Sequence, residues 1–169
     1  MNERFAAVLT HGAWIAALAL AGRAQPEQRE AGMDQQTTVA RLGPPKETYD
    51  LPNGGKRLMW PTQPMRTTTT AVDLDGSGKV ISVREVLQEN EFYRAEVGRW
   101  TRDDVLVTFG RPFETAYFKR TDRAVRSYRY VESNINHMIF DFYFDDQGVL
   151  RQTQKQPDPR YDPSQRNVF

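Results

Sequence analysis

The chain of 169 residues contains no cysteine, which excludes disulfide staples, cysteine-zinc sites and thiol nucleophiles and leaves the redox compartment undecided. Histidine is scarce as well, with only His11 and His137 present. An excess of one charge is also lacking: 23 lysines and arginines face 22 aspartates and glutamates, a formal net charge of +1. No bulk field therefore recruits nucleic acid or an anionic membrane. No apolar run reaches the roughly 20 residues that cross a bilayer as a helix. What remains is an ordinary globular composition, 38% hydrophobic and 27% charged, sufficient for one domain or two very small ones.

The N-terminus departs from that average. Residues 1–24 carry a basic Arg4, an apolar run from Ala13 to Ala21 and small residues around Gly22 and Ala24. That is the pattern of a secretory signal peptide, so export is expected; a short buried helix is the alternative, favoured by Glu3 and His11. Leu20 to Arg23 resembles a bacterial lipobox in which arginine stands at the cysteine position. A thioether needs a thiol, so no lipidation is expected at Arg23. Without acyl chains, each contributing about 0.8 kcal/mol per buried methylene, peripheral membrane association would need a partner or another surface.

Beyond the leader the chain is self-similar. Gly32 to Pro45 and Arg99 to Pro112 align without gaps, pairing Met33 with Trp100, Val39 with Leu106, Leu42 with Phe109, Gly43 with Gly110 and Pro45 with Pro112. Each segment reads as a short capped helix, with Asp34 at the start of the first and Thr101 with Asp104 as a capping box in the second. Val105, Leu106 and Phe109 share a helical face. Gly110 is expected to end its helix in the left-handed conformation, and Pro112 to prevent continuation. The glycine-proline pair follows the helix and has no lysine, unlike a phosphate-binding loop.

Strands follow in both segments. Phe140, Phe142 and Phe144 alternate with Asp141, Tyr143 and Asp145, and Thr70, Val72 and Leu74 occupy matching positions in the first copy. Asp73 to Glu85, "DLDGSGKVISVRE", looks at first like a calcium loop. Its twelfth position is Arg84, where a bidentate glutamate would be needed. Gly78 aligns with Gly148 and Asp75 with Asp145, so both stretches are expected to be hairpin turns between strands. "RLMWP" around Trp60 corresponds to "RSYRY" around Tyr128. Residues 46–51 and 114–119 are expected as the strand after each helix. A helix near Gln88 to Glu96, with Leu87 and Phe92 inward, joins the copies. The organisation expected is a signal at 1–24, units at 25–85 and 86–154, and a proline-rich disordered tail at 155–169. The fold class is α+β, with short helices on one face of antiparallel sheet.

These residues carry a resemblance. The helix, the "LG.P" or "FG.P" element, the aromatic strand and the terminal hairpin resemble the SmpA/OmlA domain of BamE, an outer-membrane assembly lipoprotein, here in two tandem copies. The doubled unit is also similar in fold to secreted β-lactamase inhibitory proteins. The matching residues are Gly32, Leu42, Gly43, Pro45 and Trp60, then Val105, Phe109, Gly110, Pro112, Tyr128 and Gly148. Arg23, the doubled domain and Arg99 in place of glycine depart from the family pattern. The resemblance implies a non-enzymatic envelope protein that acts through protein contacts in outer-membrane assembly or envelope integrity. The alternative it implies is a soluble secreted inhibitor.

Chemistry-bearing groups are sparse. His137 opens a strand, Ser127 and Ser133 lie outside any G-x-S-x-G elbow, and the carboxylate pairs Asp103–Asp104 and Asp145–Asp146 read as helix-start charge and turn chemistry. No catalytic residue, metal site, cofactor, small-molecule substrate or nucleic-acid partner is expected. The expected partner-binding residues are Arg126, Tyr128 and Tyr130 on one strand face, with Tyr117, Phe118 and Tyr143 adding aromatic area; completion of the core is the competing role for these rings. Gly43, Pro45, Gly110, Pro112, Gly78 and Gly148 are expected to shape the backbone.

Overall fold

The computed structural model describes residues 32–64 and 66–161. The expected signal segment, Arg23 and the chain beyond Tyr161 lie outside the described residues. The described residues form a mixed α+β fold of two four-stranded antiparallel sheets and a few short helices. The first sheet takes β1 (Glu47–Asp50), β2 (Lys56–Pro61), β3 (Thr69–Leu74) and β4 (Val80–Glu85) in chain order. The second takes β5 (Glu114–Phe118), β6 (Arg123–Glu132), β7 (Asn136–Phe144) and β8 (Leu150–Pro157), again in chain order. Helix α1 (Gln35–Leu42) precedes the first sheet, α2 (Glu89–Phe92) follows it, and α3 (Arg102–Phe109) precedes the second.

The helix starts follow from their caps. Asp34 Oδ1 accepts from the Thr37 amide at 2.7 Å. Thr101 Oγ1 accepts from the Asp104 amide at 3.3 Å while Asp104 Oδ2 accepts from the Thr101 amide at 2.7 Å, a complete capping box. The helix ends differ from expectation. Gly43 (φ 81°, ψ −178°) and Gly110 (φ 78°, ψ −165°) have positive φ but extended ψ. This region is open essentially to glycine alone, and it turns the chain straight out of the helix toward the next strand.

Corresponding positions make corresponding hydrogen bonds. Trp60 Nε1 donates to the Gly43 carbonyl at 3.0 Å, and Tyr128 Oη donates to the Gly110 carbonyl at 2.8 Å. The Val80 amide donates to the Met33 carbonyl at 2.8 Å and the Leu150 amide to the Trp100 carbonyl at 2.7 Å. In the hairpins, the Asp75 carboxylate accepts from the Lys79 amide at 3.0 Å and the Asp145 carboxylate from the Val149 amide at 2.9 Å. Gly78 and Gly148 each have φ 81°. The stretch that suggested a calcium loop is thus a hairpin turn between β3 and β4, and its Asp75 Oδ1 also accepts from the amide and hydroxyl of Ser77.

Strand alternation divides the core in two. Leu58, Val72, Leu74 and Val80 form one cluster with Met33, Val39 and Trp60, so that face of the first sheet packs on α1. Met59 and Ala71 point the other way and join Phe92, Val105, Phe109, Tyr128, Phe140, Phe142 and Phe144 in the larger cluster. Helix α3 is thereby enclosed between the two sheets. Phe92 stacks on Phe140 with centroids 4.8 Å apart, and Phe109 on Phe142 at 5.3 Å. The expectation of helices on one sheet face is corrected for the first sheet, which carries α1 on one side and α3 on the other. The first sheet has two apolar faces to bury, and α3 covers one of them while also covering the second sheet. The disordered-tail expectation is also corrected for residues 155–161. Lys155 to Pro157 finish β8, a 3-10 turn spans Pro159–Tyr161, and Asp158 is 2% exposed.

The interface between α3 and the first sheet is partly polar. Arg57 donates to Asp73 through Nε at 2.5 Å and Nη2 at 2.8 Å, and its Nη1 reaches the Val107 carbonyl of α3 at 3.1 Å. Arg57 and Asp73 are each 7% exposed.

Candidate functional site

The side chains of β6 alternate between the enclosed face of the second sheet and its outer face. Tyr128 and Tyr130 are both 0% exposed. Their assignment to a partner surface is therefore corrected: they point toward α3 and α2 and complete the aromatic cluster. Burial pushes both hydroxyls far above the ordinary phenol range. Tyr128 spends its hydroxyl on the Gly110 carbonyl, while that of Tyr130 has no partner among the described residues. Arg126 shares this inner face. Its Nη1 donates to the Arg102 carbonyl and its guanidinium lies 5.8 Å from the Phe144 ring centroid, so it too braces the interior. Sequence alternation identified the shared face of these three residues, but not which face was wet.

The exposed aromatic area lies on β5 instead. All five β5 residues are exposed, with Tyr117 at 57% and Phe118 at 51%. Among the described residues β5 pairs only with β6, and its other backbone edge carries no strand of theirs. Tyr117 Oη donates to the Asp122 carboxylate, and that hydrogen bond, followed by desolvation, raises its hydroxyl pKa. Lys119 and Arg120 follow the strand directly and Arg111 precedes it; all three are exposed.

The outer face of the second sheet holds a polar row that the sequence reading did not single out. Asp141, 3% exposed, accepts from Ser127 Oγ at 2.5 Å and from Gln156 Nε2 at 2.7 Å. Burial raises its carboxyl pKa, and the two hydrogen bonds only partly oppose that. The available signal was an acidic residue between two inward phenylalanines on a central strand. Tyr143 is half-buried on the same face, and its hydroxyl donates to Gln154 Oε1 at 3.2 Å. His137, the remaining histidine of interest, stacks on Tyr161 with centroids 3.6 Å apart and an interplanar angle of 7°. Ser127 hydrogen-bonds to Asp141.

Among the described residues no group of three or more histidines, aspartates or glutamates could hold a metal ion, and no helix is long and apolar enough to cross a membrane. No family model matches the chain, and no curated protein is similar to it in sequence at a significant level. Among solved structures, a DUF4309 family protein (YjgB) from Bacillus subtilis subsp. subtilis str. 168 is similar over 74% of this chain and 78% of its own, at 12% identity and a TM-score of 0.30. A likeness that weak carries no functional argument.

Proposed function

We propose that this chain is a non-enzymatic protein-interaction module of the bacterial cell envelope, built from two tandem copies of an SmpA/OmlA-like unit and engaging its partner by strand addition at β5. The doubling is supported by the matched bonds of Trp60 to Gly43 and Tyr128 to Gly110, and by hairpins with the same carboxylate-to-amide closure. Export to the periplasm or the periplasmic face of the outer membrane rests on the leader-like residues 1–24, and participation in outer-membrane assembly on the family resemblance.

The observation that carries the interaction reading is the open β5 edge. A free strand edge offers unpaired amides and carbonyls, and natural sheets usually protect such edges with proline, lysine or a covering element. β5 has none of these within its span and presents two large rings instead. An extended segment of a partner can add to that edge, with backbone hydrogen bonds giving affinity and side-chain pockets giving specificity.

Phe118→Lys places a charge on the edge while removing a side chain that is 51% exposed, so the fold is retained. Affinity capture from envelope extracts with the wild-type chain and with this variant tests the proposal. Recovery of barrel-assembly subunits by the wild type and their loss with the variant is the expected outcome. Recovery of one hydrolase instead would favour the secreted-inhibitor alternative. Equal recovery by both baits would refute strand addition at β5. Mass spectrometry of the mature N-terminus checks the localisation: a start near Gln25 without acyl mass is expected, and an intact Met1 would remove the export argument.

A further inference from the structure

We infer that a cleft between the β2–β3 loop and the second sheet is a binding site for a phosphoryl group. The cleft, about 300 Å³, is lined by Gln63, Arg66, Thr67, Phe113, Arg129 and Arg160, with Pro64 at its wall. Three arginines from three separate elements thus line one concave surface.

The carboxylate behind them accounts for two of these arginines. Asp158, 2% exposed, accepts from Arg129 Nε at 2.9 Å and from Arg160 Nη2 at 2.8 Å. A structural staple for the end of β8 would need one arginine. A second leaves a net positive charge, and Arg66 adds a third cation whose side chain has no hydrogen-bond or ion-pair partner among the described residues. Three cations against the single charge of Asp158 leave an excess of positive charge that disfavours the fold, so an anion completes the arrangement.

Two of the three arginines are also held in place before any ligand arrives. The Arg129 guanidinium carbon sits 3.5 Å from the Phe113 ring centroid while its Nε is tied to Asp158, which leaves both Nη groups available. Arg160 uses Nε and Nη2 on Asp158 and keeps Nη1 available. Planar donor forks fixed in this way suit the tetrahedral oxygens of a phosphoryl group, and fixing them beforehand reduces the entropy lost on binding. Thr67 and Gln63 add neutral donors at the loop side. The cleft volume exceeds that of one phosphate, so inorganic phosphate and the phosphoryl headgroup of a lipid share the required chemistry.

The test uses the full chain, titrated by calorimetry with inorganic phosphate and, in a second arm, with phosphatidic-acid vesicles against neutral phosphatidylcholine vesicles. Saturable binding in at least one arm is expected, with half-saturation by free phosphate at or below about 1 mM if that arm responds. Arg66→Gln should weaken it about tenfold. That side chain has no partner to lose, so the variant folds as the wild type does. Lys79→Gln removes the same charge from an exposed position in the β3–β4 turn, at the other end of β3 from the cleft, and should leave binding unchanged. Binding to phosphate identifies a free oxyanion as the ligand; binding to phosphatidic acid alone identifies a headgroup. No saturable binding in either arm overturns the inference. So does an equal loss in Arg66→Gln and Lys79→Gln, because general surface charge would then explain the affinity.

Discussion

Replacing Asp73 with asparagine tests how the two sheets are joined. The Asp73 carboxylate accepts from Arg57 Nε and Nη2 and from Ser82 Oγ at 3.2 Å, and lies 3.3 Å from Arg84 Nη2. Loss of its charge strands the Arg57 guanidinium, 9% exposed in its side chain, while Arg84 keeps Glu91 at 3.7 Å. Removing one partner of a buried ion pair costs about 3 kcal/mol or more, whereas an exposed pair contributes at most about 1 kcal/mol. Lys56–Asp50 is such an exposed pair, with side chains 52% and 87% accessible, and Asp50→Asn serves as the comparison. Urea unfolding followed by tryptophan fluorescence should show a large fall in midpoint for Asp73→Asn at unchanged slope. The double variant Arg57→Met with Asp73→Leu should recover most of the loss, because an apolar pair of similar size needs no charge compensation. The pH dependence has a fixed sign. Burial opposes ionisation of Asp73, but the Arg57 hydrogen bonds and the charges of Arg57 and Arg84 outweigh it and hold the carboxyl below its ordinary range. Its stabilisation is therefore complete above the unfolded-state pKa of about 3.9 and is lost as pH falls through the lower folded-state value. The difference between wild type and Asp73→Asn should persist from neutral pH to about pH 5 and shrink in stronger acid. An Asp73→Asn variant as stable as Asp50→Asn at neutral pH would refute this account.

Gly110→Ala should destabilise more than Gly43→Ala. Both glycines have positive φ, costing about 1–3 kcal/mol for any other residue, but a Cβ at Gly110 would also meet Met59 Sδ and Glu47 Oε2 at 3.0 Å, while one at Gly43 meets nothing within 4 Å; parallel thermal melts measure the difference. Asp141→Asn should raise stability at neutral pH. The raised carboxyl pKa of Asp141 means that its contribution is present below the unfolded value and is lost as pH rises through the folded one, so the gain should vanish near pH 3 in urea titrations at the two pH values. Thr101→Ala removes the capping box of α3 and should cost about 1–2 kcal/mol, read as a lower unfolding midpoint.

Local physics was the legible part of this sequence. The caps at Asp34 and Thr101, the turns at Gly78 and Gly148 and the alternation of Phe140, Phe142 and Phe144 depend on neighbours a few residues away, and each is found as the residues imply. The site was less legible, because alternation along β6 tells which residues share a face but not what covers it. Tyr128 and Tyr130 could be assigned to the interior only once α3 was seen against that face. The Arg57–Asp73 pair was hidden for the same reason: its partners are brought together by strand pairing and then covered by a helix from the other half of the chain. The arginine cleft depends on three elements far apart in sequence, and no local pattern announces it.

The enclosure of α3 between the sheets has an evolutionary consequence. Met59 and Ala71 complete a core whose other members come from the second half of the chain, so neither half keeps a finished interior if the other is deleted. The outer surfaces of the two halves can therefore vary separately, but the halves cannot be split into genes of their own without exposing that shared core.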